Sequence, residues 1–171
     1  MSNIKIEDNF LEQKDLVELQ NVMMGNQERH FWCYAPFIDY VDDVDKFQFS
    51  HLFYANPIPR SECFNNLIPI LDIIHPVALL RIKANLLTRT PKIVENKFHI
   101  DIQGASEEKL GQWTTSIFYV NTNNGYTKFE DGTKVESVAN RLVTFPANLK
   151  HTGSSCTDEK IRVSIGFNYF K

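Results

Sequence analysis

Five polar residues in the second half of the chain have side chains suited to metal or anion chemistry. They are His99 and Asp101 in "KFHIDIQG", His151 in "ANLKHTGSS", and Arg162 and Ser164 in "EKIRVSIGFNYF". In an extended segment residues i and i+2 point to one side, so His99 and Asp101 converge. Taken alone, the pair fits two readings, a hydrogen-bonded couple or two metal ligands. His151, brought to the same place, completes a set of two imidazoles and one carboxylate. Such a set holds one face of an ion and leaves the other positions open, which suits non-haem Fe(II). A zinc hydrolase would also use His and Asp, but with a nearby general base and a tetrahedral site, and the chain has no HExxH segment. In the last segment Arg162, Ser164, Gly166 and Asn168 share one face, and Val163, Ile165, Phe167 and Tyr169 the other. An enclosed guanidinium needs an anion, and its planar fork matches a carboxylate at two points. That anion is an internal Asp or Glu, or a ligand.

For these residues to meet, the chain must bring distant segments together. From residue 77 onward eight segments read as short strands, roughly 78–88, 97–102, 113–121, 126–130, 133–138, 141–146, 149–154 and 160–170, separated by turn chemistry such as "NTNNG" and "GSSCTDE". Asp131-Gly132 between β-prone flanks marks a tight hairpin. Upstream, "EQKDLVELQNVMMG" places Leu16, Leu19, Val22 and Met23 at helical spacing, with Gly25 as a stop. "HFWCYAPFIDYV" and "KFQFSHLFYA" read as strands. "SECFNNLIPILDIIH" returns to helical spacing through Phe64, Leu67, Ile68, Leu71 and Ile74, capped by Ser61 and stopped by Pro76; Pro69 opposes an unbroken helix. This order predicts a mostly β fold with N-terminal helices (α+β), a double-stranded β-helix or jelly-roll barrel buttressed by helices. An ordinary β-sandwich has the same strand count. In a jelly roll, His99 on the second strand and His151 opening the seventh meet at the barrel mouth. No linker or repeat interrupts the chain, so the expectation is one domain over 1–171, with 1–77 as support and 78–170 as the core.

Composition narrows the functional classes. At 171 residues, with 43% apolar and 23% charged residues, the chain can bury a full core. Thirteen Phe and six Tyr favour β structure over a helical bundle. A net charge of −3 argues against a nucleic-acid partner. Three widely spaced cysteines, Cys33, Cys63 and Cys156, form no CxxC and read as reduced thiols. Without an apolar leader or a run of ~20 apolar residues, the expectation is a soluble, cytoplasmic protein with no membrane partner.

In the order HxD (His99, Asp101), distal His151 and RxS (Arg162, Ser164), the chain resembles the small prolyl-4-hydroxylase-like Fe(II)- and 2-oxoglutarate-dependent oxygenases, in particular compact phage-type members. "SIFYVNTNNGYTKF" is similar to the family's strand-turn-strand ending in Gly-x-Thr-x-Phe (Gly125, Thr127, Phe129). "RLVTFPANLKHTG" resembles the approach to the distal histidine, and "RIKANL" the first barrel strand. The resemblance covers about residues 78–170. It implies Fe(II) held by His99, Asp101 and His151, 2-oxoglutarate as co-substrate bound by Arg162 and Ser164, O2 as oxidant, and ascorbate as an accessory. The reaction implied is hydroxylation of a C–H bond of a peptide, such as a prolyl residue, or of a small metabolite. A modified nucleobase and a non-catalytic jelly-roll binding protein are the alternatives. Asp101 implies hydroxylation or demethylation, because the family's halogenases carry a small residue there. Lys83 and Asn85, which share a face with Arg81, and Tyr119, which shares one with Ile117, are further candidates for the 2-oxoglutarate pocket. Two departures matter. Collagen-type members use a lysine for the distal carboxylate, which makes Lys160 a rival to Arg162, and Gly125-Tyr126 stands where Gly-Gly is frequent. Trp32, Trp113 and His30 read as core or rim residues, His75 as a helix end, and 51–60 as a loop on the substrate side; His51 has no spacing that joins the triad. The oligomeric state is left open.

Overall fold

The computed structural model describes residues 4–25, 32–42 and 45–171; His30 lies outside them. The elements are β1 (Lys5–Glu7), α1 (Gln13–Met24), β2 (Cys33–Ala35), β3 (Gln48–Ala55) and β4 (Ile58–Pro59). A 3-10 turn (Glu62–Leu67) leads into α2 (Ile68–Ile74). There follow β5 (Ala78–Thr88), α3 (Glu107–Leu110), β6 (Trp113–Tyr119), β7 (Tyr126–Phe129), β8 (Lys134–Glu136), β9 (Arg141–Pro146), β10 (His151–Gly153) and β11 (Ile161–Phe170). An eight-stranded sheet runs in the order β1-β9-β6-β11-β5-β3-β2, with β4 on β3, and a three-stranded sheet in the order β10-β7-β8. All pairings are antiparallel. This is the mostly β, helix-backed jelly roll that the sequence predicts, although the two sheets stay separate and hydrogen bonds do not close them into a barrel. Among the described residues no helix is long and apolar enough to cross a membrane.

Alternation along the strands sorts side chains into two layers. On one face of the large sheet Ile82, Ala84, Phe118, Leu142, Val163, Ile165, Phe167 and Tyr169 join Leu16, Leu19, Met23, Leu67 and Ile70 from the helical segments in one apolar cluster. On the other face Tyr119, Val143 and Phe145 meet Phe129 and Val135 of the small sheet. The remaining inward positions between the sheets are polar and line a cavity.

Local chemistry explains the departures from the predicted elements. Pro69 ends up in the first turn of α2, where its missing N–H costs nothing, so 61–75 splits into a 3-10 turn and a short helix. The tighter turn rotates the phase: Ile70 is buried and Ile68 is exposed. Ser61 caps the 3-10 turn by accepting from the Cys63 N–H, and His75 ends α2 in the left-handed conformation, as expected. The predicted strand 97–102 does not form. Isolated bridges pair Glu95 with Ser154 and His99 with His151. Four steps separate Glu95 from His99, while three separate His151 from Ser154, so one extra residue bulges between them. Beyond His99 the Asp101 carbonyl accepts from the Arg81 guanidinium at 3.3 Å and the chain bends away. The segment 51–60 is a hairpin of β3 and β4 rather than an open loop; Asn56 at its turn borders a cleft shared with Arg81, Asp101 and Asn168.

The chain entering α1 is fixed by one side chain. Asn140 sits at φ 66°, accepts from the Leu11 N–H at 2.8 Å and donates to the Leu11 carbonyl at 2.8 Å, with all groups buried. Replacing Asn140 with Gly keeps the backbone conformation accessible but strands two buried main-chain groups. The expected loss is about 2 kcal/mol, read as a lower urea midpoint with an unchanged slope.

Candidate metal centre

The bulge places His99 directly against the first residue of β10. Their main chains exchange two hydrogen bonds, His99 N to His151 O at 2.9 Å and His151 N to His99 O at 3.0 Å. The two rings lie 4.7 Å apart between centroids. Asp101 turns back toward them, its Oδ1 3.7 Å from His99 Nε2. One potential ligand atom from each of His99, Asp101 and His151 falls within 4.8 Å of the others. His151 Nδ1 faces the Leu149 carbonyl at 3.2 Å. His99 Nδ1 faces the Lys97 carbonyl at 3.3 Å and Asp39 Oδ1 at 3.2 Å. Both rings therefore donate outward from Nδ1 and turn the Nε2 lone pair inward, the tautomer a metal ligand requires. Phe145 packs edge-on against the His151 ring at 4.9 Å and keeps it from swinging.

Asp101 is held just as firmly. Asn168 Nδ2 donates to its Oδ2 at 3.0 Å, and Arg81 Nη2 lies 3.5 Å from its Oδ1. Arg81 Nε in turn donates to Asn168 Oδ1 at 3.2 Å, and Asn168 also donates to Thr115 Oγ1. Burial alone would raise the Asp101 carboxyl, but His99, His151, Arg81 and Asn168 together hold it far below the usual carboxylate range. Burial pushes His151 down, with His99 adding to the effect against Asp101. The same burial acts on His99 but is outweighed by Asp101 and Asp39, so its pKa is raised. The site thus combines an anionic carboxylate, a neutral imidazole and a second imidazole flanked by carboxylates, with one potential ligand atom of each within 4.8 Å of the others.

The same cavity is lined by Lys83, Asn85, Thr127, Arg162 and Ser164. Arg162 is 4% exposed. Its Nε donates to Ser137 Oγ at 2.7 Å, its Nη2 reaches Thr127 Oγ1 at 3.4 Å, and its guanidinium lies 5.6 Å from the Tyr119 ring centre. Among the described residues no carboxylate pairs with it. Burial accordingly lowers its pKa, opposed only by Tyr119 and Cys156. Lys83 likewise has no hydrogen bond or ion pair among the described residues, and burial followed by Arg81 lowers its pKa. Asn85 Oδ1 is buried with no hydrogen-bond partner. The cavity therefore presents cations with no carboxylate partner and a polar amide oxygen with no hydrogen-bond partner among the described residues, beside three side chains that could hold a metal ion.

No protein-family model and no curated protein matches the sequence. Solved structures do match. A prolyl hydroxylase from Trichoplax adhaerens, in complex with a hypoxia inducible factor oxygen degradation domain peptide, superposes with a TM-score of 0.68 at 14% identity, over 99% of this chain and 84% of that one. A 2OG-Fe(II) oxygenase family protein from Burkholderia pseudomallei gives 0.66 at 11% identity, over 98% and 84%. HygX from Streptomyces hygroscopicus, with nickel, 2-oxoglutarate and hygromycin B bound, gives 0.66 at 10% identity, over 99% and 83%. The chain has the fold of the Fe(II)- and 2-oxoglutarate-dependent oxygenases.

On this oxygenase fold the predicted residues are largely brought together. His99, Asp101, His151, Arg162, Ser164, Lys83 and Asn85 all line one cavity. Tyr119 does not line it: fully buried, it donates to Thr127 Oγ1 at 2.8 Å and sits behind Arg162. Lys160 is exposed and precedes β11. Tyr126 points outward to Glu95 Oε1 at 2.6 Å, which resolves the Gly125-Tyr126 departure in favour of Thr127 facing inward. His51 contacts Ser61 Oγ at 2.7 Å, away from the cavity. Three contributors were missed. Asn168 stood on the right face of the last strand, and that parity was the signal for it. Asp39 and Ser137 carry no local signal, because their contacts arise from the path of the chain. Gly125 is needed for close approach, since a Cβ there would lie 2.6 Å from Arg162 Cδ and 2.9 Å from the Ser155 carbonyl. Replacing Gly125 with Ala is expected to cost about 1–3 kcal/mol through overpacking, measured by urea denaturation.

Proposed function

We propose that the protein is an Fe(II)- and 2-oxoglutarate-dependent dioxygenase that hydroxylates a C–H bond of a peptidyl residue, such as proline, or of a small metabolite. The observation that carries this reading is Arg162, a buried guanidinium with hydroxyl groups as its hydrogen-bond partners and no carboxylate among the described residues, opening on the cavity that also holds the His99–Asp101–His151 set. A buried unpaired charge is costly, and a dicarboxylate co-substrate removes the cost. The donor set fits the metal. Its two Nε2 atoms and one carboxylate are the ligands that suit non-haem Fe(II), and the hydrogen bonds on both Nδ1 atoms and on Asp101 are the outer contacts such ligands need. When bound, Fe(II) supplies the redox chemistry by which a substrate C–H, 2-oxoglutarate and O2 become the alcohol, succinate and CO2.

The protein's own groups divide the remaining work. Arg162 takes the distal carboxylate of 2-oxoglutarate, with Ser137 and Thr127 holding its fork in place and Ser164 adding a hydroxyl beside it. Lys83 and Asn85, on the neighbouring strand, offer polar contacts to the rest of the co-substrate. Tyr119 acts only through Thr127 and Arg162. Arg81 and Asn168 keep Asp101 ionised and oriented. Both kinds of substrate occur on this fold, which supports the reading: the Trichoplax enzyme is in complex with a peptide and HygX has hygromycin B bound.

The test is succinate release from 2-oxoglutarate over a panel of peptides and metabolites, with ascorbate present, together with anaerobic titration of Fe(II) and 2-oxoglutarate. His99→Ala is expected to abolish turnover. Arg162→Gln is expected to weaken 2-oxoglutarate binding by roughly 10- to 150-fold, the loss of about 1.5–3 kcal/mol from a charge-assisted hydrogen bond. Full turnover in His99→Ala would remove the metal-site reading. No succinate and no visible charge-transfer band in the wild type would leave a binding protein on an oxygenase fold.

A further inference from the structure

His151 and His99 are backed differently, although both turn Nδ1 away from the cavity. His151 Nδ1 meets one backbone carbonyl, that of Leu149. His99 Nδ1 meets the Lys97 carbonyl and, slightly closer, the Asp39 carboxylate at 3.2 Å. Asp39 is no surface acid that has drifted onto a ring. Its side chain is 9% exposed, and it lines the cavity beside the ligands. The segment carrying it is fastened independently over the ligand-bearing segment. Gln48 Nε2 donates to the Ile38 carbonyl at 2.9 Å, Tyr40 OH donates to the Phe98 carbonyl at 3.0 Å, and Lys97 pairs with Asp42 at 2.9 Å. The Lys97 ammonium also sits over the Tyr40 ring, 5.3 Å from its centre. Four contacts that do not involve Asp39 thus set the position from which its carboxylate reaches His99.

We propose that Asp39 is a positioning residue for the metal centre: its carboxylate takes the Nδ1–H of His99, fixes the ring with Nε2 toward Asp101, and strengthens His99 over His151 as a donor. The inference rests on reading His99, Asp101 and His151 as metal ligands. A carboxylate behind a ligating imidazole raises the basicity of the bound nitrogen and locks its tautomer. It also places a second negative charge near the ion. Asp101 supplies one charge directly and Asp39 the other through the ring, which together balance a divalent cation. Arg81, the cation closest to Asp101, faces that carboxylate and Asn168. The bulge at 96–98 and the Asp39 segment are then two halves of one device, the first bringing His99 to His151 and the second setting the angle of its ring.

The test is Co(II) affinity, followed by the visible ligand-field absorption of the metal-loaded protein without co-substrate. Asp39→Ala is expected to weaken Co(II) binding 10- to 100-fold, the usual effect of removing such an outer contact. Asp39→Asn, which keeps an oxygen acceptor and the shape, is expected to fall between Asp39→Ala and the wild type, and it serves as the test if the alanine variant does not fold. Asp42→Asn removes a fastening of the same segment but leaves the carboxylate, and is expected to bind Co(II) as the wild type does, with the same band shape. Unchanged affinity in both Asp39 variants overturns the proposal, as does an equal loss in Asp42→Asn, which would make Asp39 an anchor for its segment. Should the wild type and His99→Ala bind Co(II) alike, the metal-centre reading itself fails. Binding by the wild type, none by His99→Ala and no effect at Asp39 removes only the role of Asp39.

Discussion

β11 pairs with β5 from Ile161 to Phe170 and with β6 from Ser164 to Phe170, so each side chain must enter one of two faces. One face is apolar and packs on the helices; the other is polar and lines the cavity. The rest of the molecule answers that division. The helices and the 3-10 turn cover the apolar face. The small sheet covers the opposite face at one end and leaves a polar space at the other. Arg162, Ser164 and Asn168 thus occupy fixed positions on one face of a strand that cannot shift register by one residue without sending Val163 and Ile165 into the cavity.

Holding these groups indoors works against stability. Among the described residues Arg162 gives up hydration for two hydroxyl contacts and a ring face, and Lys83 and the Asn85 side-chain carbonyl for no hydrogen bond. Each is unfavourable to folding in isolation, and all of them face one cavity. A folded protein tolerates such a cluster where a ligand completes it, and the apolar cluster beneath β5 and β11 offsets the loss. The metal side is managed differently. Nearly every polar atom around Asp101 has a partner, so the protein's own contacts hold His99, Asp101 and His151 in position.

Much of this was legible in the sequence because it is governed by period and by turn chemistry. The two-residue alternation of β11 separates Arg162 from Val163 without reference to the fold, and the same parity places Lys83 and Asn85 together. Ser61 and His75 act through their own backbones, so their roles are local. What the sequence hid depends on irregularity and on distance. The extra residue between Glu95 and His99 defeats a reading of 97–102 as a regular strand, yet it brings His99 opposite His151. Pro69 shifts the helical phase so that Ile70 replaces Ile68 in the core. Asp39, Ser137 and the retreat of Tyr119 behind Thr127 follow from chain paths that no window of neighbours encodes.

The bulge has a further bearing on how the site comes apart. Arg162, Thr127 and Ser164 stand on strands of the two sheets, whereas His99 and Asp101 ride on a segment outside them, joined by isolated bridges to His151 of β10 and to Ser154 just beyond it, and through Asp101 to Arg81 and Asn168. Opening that segment breaks a few hydrogen bonds and leaves both sheets intact, so it is a sub-global event of low free energy compared with unfolding β5 or β11. The two halves of the cavity therefore belong to different cooperative units. A local opening of that segment would part His99 and Asp101 from His151 while leaving Arg162 on its strand. Amide protons along 95–99 and along β11 would register the two units separately.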